Sequence, residues 1–250
     1  MPVHSAIGIR MKDYESRNQY YLQKRTPVII RVDGRAFHTF TKNLKRPYDN
    51  VFQNSMIKTM EAMAAEIQNC VFAYCQSDEI TFVLNDYQQL NTSAWFDYRT
   101  DKICSIAASL ATYYFNRYFK EEAQRIIKTM QDEDYNLVLL KCIESQTLFD
   151  ARCFNIPKEE VTNCIYWRQL DAIRNSILML GQSLFSHKQL MNKTCENVKQ
   201  MCEEVGTSWD KLPIYKQRGT CCYREDGTWI TDYTMPILLK EGRDYLERLI

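Results

Sequence analysis

The sequence predicts an α+β protein, a palm-type (ferredoxin-like) antiparallel sheet with packed helices and a helical C-terminal half. Three observations carry this reading. Residues 27–119 run strand, helix, strand-turn-strand, helix. Two strand-like runs border acidic motifs, Arg31-Val32-Asp33-Gly34-Arg35 and Gln76-Ser77-Asp78-Glu79. Helical patterns then dominate residues 167–205. The chain accordingly divides into a palm-like catalytic region, 1–148, and a C-terminal helical region with a hairpin, 149–250, expected to form one compact unit.

Each element has its own signal. Lys12–Lys24 is polar with interleaved Tyr14, Tyr20, Tyr21 and Leu22, and reads as a surface-lying helix closed by Pro27. Pro27-Val28-Ile29-Ile30 is the first strand. Phe37, His38 and Phe40 precede a basic loop, Lys42-Asn43-Leu44-Lys45-Arg46-Pro47, after which Asp49 or Asn50 is placed to cap a helix. Over 51–68 the apolar residues Phe52, Met56, Met60, Met63, Ala64 and Ile67 fall on one helical face, the pattern of core packing. Val71–Tyr74 and Ile80–Leu84 are strands around the second acidic motif. Trp95–Phe119 reads as a long helix whose Ala107, Ala108 and Ala111 permit close packing against a sheet. Glu121–Lys141 is charged, a solvated helix or an insertion. Trp167–Leu184 and Lys188–Val205 are two more helices. Finally, Gly219–Tyr223 and Thr228–Ile230 flank Glu225-Asp226-Gly227, a hairpin signal.

Composition excludes several classes. A net charge of +1 argues against a basic coat over the whole surface, so any polyanion must meet a local patch. No apolar run reaches the length of a membrane span. Met1–Arg10 lacks an apolar stretch ending in a cleavage site, so no signal peptide is expected. Ten cysteines without secretory context suggest reduced thiols and a cytoplasmic location. Neither the Cys70/Cys75 spacing nor the Cys221-Cys222 pair resembles a zinc site. No glycine-rich phosphate loop or nucleophile elbow is present, and His38 belongs to no triad.

Two strand-end carboxylates with a helix between them suit a divalent-metal phosphoryl-transfer site, which needs hard oxygen ligands on a rigid platform. In such a layer Asp33 and Asp78 converge, and Gly34 lets the backbone approach a metal or triphosphate. Glu79 points to the opposite face of a regular strand but reaches a second metal if the turn bends. Arg99 and Lys102 share one helical face and are candidate phosphate ligands, alone or with Arg35 and Arg46. On spacing alone, two polar turns and an ordinary exposed basic face remain open.

Taken in order, Arg31–His38, Pro47-Tyr48-Asp49, Ala73–Glu79, Phe149-Asp150-Ala151-Arg152 and Tyr166-Trp167-Arg168-Gln169 resemble the tRNA-histidine guanylyltransferase family over about residues 5–222. That resemblance implies a palm-domain enzyme adding nucleotides to an RNA 5′ end in the 3′-to-5′ direction. The 5′-monophosphate is activated with a nucleoside triphosphate, and the 3′-hydroxyl of an incoming nucleotide then attacks it. The resemblance also implies two Mg²⁺ ions on Asp33, the Gly34 carbonyl and Asp78, with Glu79 as a further catalytic carboxylate. Asp33, Gly34, Arg35, Ala36, Phe37, His38, Ser77, Asp78, Arg99 and Lys102 would bind the nucleotide. Arg46, Asp49, Arg152, Arg168 and Asn175 would contact tRNA or a second nucleotide. ATP and GTP would be substrates, tRNA the partner, and a homotetramer the assembly.

The chain departs from the family pattern in one informative stretch. Ile173-Arg174-Asn175-Ser176 stands where enzymes specific for histidine tRNA carry His-Ile-Asn-Asn. This resembles the guanylyltransferase-like branch, which implies templated repair of truncated tRNA 5′ ends rather than strict histidine-tRNA guanylylation. Cys75 stands where a glycine is common. A nucleotide cyclase-type palm enzyme and a non-catalytic RNA-binding module are the competing readings, and carboxylates facing RNA without metal count against the second.

Overall fold

In the computed structural model, which describes residues 5–250, the chain forms one antiparallel six-stranded sheet between layers of helix. The elements are α1 (Ala6–Ser16), β1 (Val28–Gly34), α2 (Phe37–Phe40), α3 (Asn50–Glu66), β2 (Cys70–Gln76), β3 (Glu79–Leu84), α4 (Thr100–Thr129) and α5 (Glu133–Ser145). There follow β4 (Phe149–Asn155), α6 (Lys158–Leu184), α7 (His187–Leu190), α8 (Cys195–Glu204), α9 (Ile214–Arg218), β5 (Thr220–Glu225), β6 (Thr228–Asp232) and α10 (Asp244–Glu247). The reading of Met1–Arg10 falls partly on residues 1–4, outside the described residues.

Strand order is β4-β1-β3-β2-β5-β6. Period-two alternation divides β1 between two cores. Val28, Ile30 and Val32 join Phe82, Met60, Ile103, Ala107 and Phe115 beneath α3 and α4. Ile29 joins Phe72, Tyr74, Val83, Val161, Ile165 and Leu246 beneath α6 and the C-terminal segment. The hairpin closes as expected on Asp226 and Gly227, both at positive φ (49° and 79°), which a two-residue Asp-Gly turn requires.

Several boundaries differ from expectation. The first helix ends at Ser16, and the following segment leaves the helix and is tied to the start of α4, with Leu22 N donating to the Tyr98 carbonyl at 2.9 Å. α4 continues ten residues past Phe119, to Thr129, because Phe115, Phe119, Glu122 and Ala123 keep one buried stripe through the charged segment. α6 begins nine residues earlier than Trp167, behind Pro157. The helix expected over 188–205 is broken, since Thr194 caps a new one and accepts from Asn197 N at 3.2 Å. Phe149–Asn155 is a strand that the sequence had not announced.

All ten cysteines are free. Among the described residues no helix is long and apolar enough to cross a membrane, and no three His, Cys, Asp or Glu residues gather as a metal-binding cluster.

Candidate active site

The two acidic motifs meet at one end of the sheet. β1 and β3 pair so that Asp33 lies opposite Glu79, and Gly34 N donates to the Asp78 carbonyl at 3.1 Å. Ser77 takes positive φ (50°) to turn the chain between β2 and β3. Gly34 is required by packing, because a Cβ there would lie 2.2 Å from the Phe37 ring. Asp33, Gly34, Ala36, Phe37, His38, Arg46, Asp49, Ser77 and Asp78 all line one cavity of about 530 Å³.

Its far wall is the basic loop. Lys42, Lys45 and Arg46 line it, and among the described residues Lys42 and Arg46 make no ion pair. Lys45 Nζ lies 3.2 Å from Asp132 and 4.1 Å from the centre of the Tyr135 ring. Met179 and Gln182, from the last turns of α6, complete the lining. The two lysines, Met179 and Gln182 are cavity residues that sequence reasoning did not single out. For the lysines the signal was the density of positive charge in 42–46.

Electrostatics mark Asp78. Burial raises its carboxyl above the ordinary value, and neighbouring Asp33 adds to the shift, while hydrogen bonding from Ser77 opposes it. A pair of carboxylates held together at the mouth of a cavity, beside backbone carbonyls, is a donor set that fits Mg²⁺. This ion commonly takes one or two carboxylates and completes its shell with water and phosphate.

Glu79 is differently employed. It shares the sheet face of Asp33 rather than pointing away from it, and accepts from Arg168 Nε at 2.7 Å with Arg31 Nε at 3.8 Å. Arg168 is also held by Asp171 at 2.8 Å, so its charge is spent within the protein. Asp49 caps α3, and its oxygens accept from Phe52 N, Lys45 N and the Tyr135 hydroxyl at 3.1, 2.9 and 2.6 Å.

Other expected residues scatter. Arg35 lines a neighbouring cavity beside Lys141. Arg152 is exposed on β4, and its pairing with Asp150 at 2.9 Å chiefly favours its charged form, with a smaller contribution from Asp33. Asn175 lines a narrower cleft of about 80 Å³ between α3, α6 and α9, which shares Asp49, Phe52, Ser77 and Met179 with the main cavity. Arg99 and Lys102 are not brought to Asp33 within the chain. α4 packs on the opposite sheet face, and its start lies beside Cys153, whereas Thr112 marks the level of Phe149 and Gly34. Twelve residues of helix separate the two levels, about 18 Å.

This site now has relatives to be compared with. The family model describing "Thg1: tRNAHis guanylyltransferase" matches residues 8–157, more than half of the chain. The chain belongs to the Thg1 family. A bacterial Thg1-like protein solved in complex with ATP is 34% identical, with a TM-score of 0.86 over 98% of this chain and 99% of that one. A bacterial Thg1-like protein in complex with GTP is 31% identical, with a TM-score of 0.76 over 98% and 99%. An uncharacterised protein of Acanthamoeba polyphaga mimivirus, R259, is 26% identical over 229 residues, 87% of this chain and 76% of its own length. Thg1-family membership makes the chain a tRNA guanylyltransferase-like protein.

Proposed function

We propose that the chain is an Mg²⁺-dependent tRNA 5′-end nucleotidyltransferase that works in the 3′-to-5′ direction, repairing truncated ends against a template. The observation that carries this reading is the meeting of Asp33 and Asp78 at the rim of one basic cavity of about 530 Å³. Support also comes from Thg1-like relatives solved with ATP and with GTP.

Asp33, Asp78 and the Gly34 carbonyl are the groups that would hold Mg²⁺. When bound, the metal neutralises charge on the attacking and leaving oxygens of an in-line displacement. The chain's own residues do the rest. Lys42 and Arg46 bind triphosphate oxygens from the opposite wall of the cavity, and His38 closes its rim. Ser77 hydrogen-bonds the Asp78 carboxylate and so opposes the upward shift that burial imposes on it. Glu79 braces Arg168 and Arg31 beside Asp33, a positioning task rather than metal binding.

Arg99 and Lys102 enter this reading through a second copy of the chain. They lie too far along α4 to serve their own Asp33, so a neighbouring subunit of the homotetramer would supply them. Cytoplasmic tRNA is the substrate, with ATP and GTP as nucleotides.

The test is nucleotide addition to tRNAs lacking the first 5′ nucleotide, with each nucleoside triphosphate in turn. Label from α-labelled GTP should enter the RNA 5′ end and require Mg²⁺. Formation of cyclic nucleotide, or tRNA binding without addition, would overturn the proposal.

A further inference from the structure

The geometry points to Trp167 as a stacking platform for the base at the 5′ end of the RNA. This inference rests on the proposed RNA 5′-end substrate and assigns a residue that the site as described leaves without a task.

The platform follows from how α6 crosses the sheet. Val161, Ile165 and Ala172 of α6 pack with Ile29, Phe72, Tyr74 and Val83. On the edge strand β4 the same face is left open. Arg31 and Asp33 lie there opposite Arg152 and Asp150, and the two β4 residues are exposed. Trp167 forms the wall of this shelf. Its ring centre lies 4.4 Å from the Arg168 guanidinium and 5.5 Å from that of Arg31.

Exposure decides which side of the indole is free. The Arg168 and Arg31 side chains are only 10% and 17% exposed, so both guanidiniums lie on the protein side. Trp167 itself is 52% exposed, while Trp95 and Trp209 are buried and Trp229 is half-buried. An indole held by two buried cations and open outward is rigid, apolar and sequence-tolerant, the properties by which aromatic side chains stack single bases.

Position selects the RNA over the nucleotide. Arg31 precedes Asp33 by two residues, about 7 Å along β1. The cavity with Lys42 and Arg46 opens on the other flank of Asp33. When the RNA 5′-phosphate is activated, in-line displacement sets its attacking oxygen on the nucleotide's α-phosphorus opposite the pyrophosphate that leaves. With triphosphate in the basic cavity, the RNA end is left the shelf, and its outermost base meets Trp167.

The test uses the full chain and an acceptor-stem RNA lacking its first 5′ nucleotide, with or without an abasic residue at the new 5′ end. In the unaltered protein the abasic residue should weaken binding about 10-fold, within the range of a single base–aromatic stack. Trp167→Ala should bind both RNAs equally weakly, and Trp167→Phe should recover most of the difference, with unchanged melting temperatures. RNA should shield Trp167 from acrylamide quenching, and GTP alone should not. Equal abasic penalties in Trp167→Ala and the unaltered protein would overturn the platform, as would shielding by GTP alone. Intact abasic discrimination without any nucleotide addition would overturn the proposed function instead.

Discussion

Arg168 Nε donates to the Glu79 carboxylate at 2.7 Å across 89 residues of sequence, joining α6 to the strand that faces Asp33. Both side chains are nearly buried, 10% and 9% exposed. Burial raises the Glu79 carboxyl above its ordinary value, and Arg168 opposes that shift. Truncating the arginine leaves a buried carboxylate without its main partner. Arg168→Ala should therefore cost about 3–5 kcal/mol, whereas the apolar pair Arg168→Met with Glu79→Leu should cost far less. Urea unfolding of the two variants and the unaltered chain checks this, and a mild Arg168→Ala would mean that Glu79 is not held by this contact.

Asp33→Ala and Asp78→Ala should each lower nucleotide addition by roughly 10³-fold or more while leaving the fold intact, because each removes a metal ligand and its charge stabilisation. Turnover near that of the unaltered chain in either variant would remove that residue from the catalytic set. Circular dichroism and melting curves exclude a folding defect as the cause.

Asp78→Asn should stabilise the metal-free chain even as it abolishes activity. The folded-state carboxyl titrates above the ordinary value, chiefly through burial and then through Asp33. Between the ordinary and the raised value the folded protein holds a proton that the unfolded chain has already lost, and stability falls as pH rises across that window. The asparagine variant escapes that loss. With EDTA present its melting temperature should exceed that of the unaltered chain at neutral pH. The advantage should vanish near pH 4, below which both carry no charge there. An advantage that grew toward acid pH would contradict the burial argument.

What could be read from sequence follows from how local each signal was. Asp33 and Asp78 were legible because strand runs and turn residues adjoin them directly. The sheet on which they converge, the capping by Asp49 and the Asp-Gly hairpin were legible for the same reason. β4 was not, since Phe149–Asn155 is an edge strand with exposed Asp150 and Arg152 and no clean alternation. From sequence Arg168 reads as a contact to tRNA or a second nucleotide, because its partner, Glu79, is distant in sequence and only the fold joins them. Lys12–Lys24 misled because its aromatic residues suggested a helical face, whereas 17–24 is tied down by backbone pairing, including a bridge between Tyr21 and Arg99. The end of α4 was hidden by charge composition, although its stripe of buried residues kept helical spacing.

Subunit mixing tests the place proposed for the basic pair. Arg99→Ala and Lys102→Ala should each raise the apparent KM for nucleoside triphosphate about 10-fold, the scale of one charge-assisted contact. Melting should change little, since Arg99 loses only its pairing with Asp101. Co-assembly of Asp33→Ala chains with Arg99→Ala chains should restore sites with the unaltered apparent KM, which neither variant has alone, because each supplies what the other lacks. No recovery on mixing would place Arg99 outside any shared site.

Substrate choice turns on the middle of α6. Ser176 is consumed by structure: its hydroxyl donates to the Gln217 carbonyl at 2.8 Å and accepts from Trp209 Nε1 at 2.9 Å. Its carbonyl accepts from the Tyr48 hydroxyl at 2.8 Å. That leaves Asn175 as the polar side chain of Ile173–Ser176 lining the cleft beside the cavity. One amide that both donates and accepts discriminates poorly among bases. Selection must then come from pairing with the opposite RNA strand, as where base pairing reads sequence and protein reads shape. Truncated tRNAs whose missing 5′ base is not guanosine should be repaired with the complementary nucleotide, and changing the opposing base should change which nucleotide enters. Asn175→Ala should lower the rate without altering that choice. Exclusive use of GTP, whatever base stands opposite, would make the chain a histidine-tRNA guanylyltransferase in the strict sense and return selectivity to the protein.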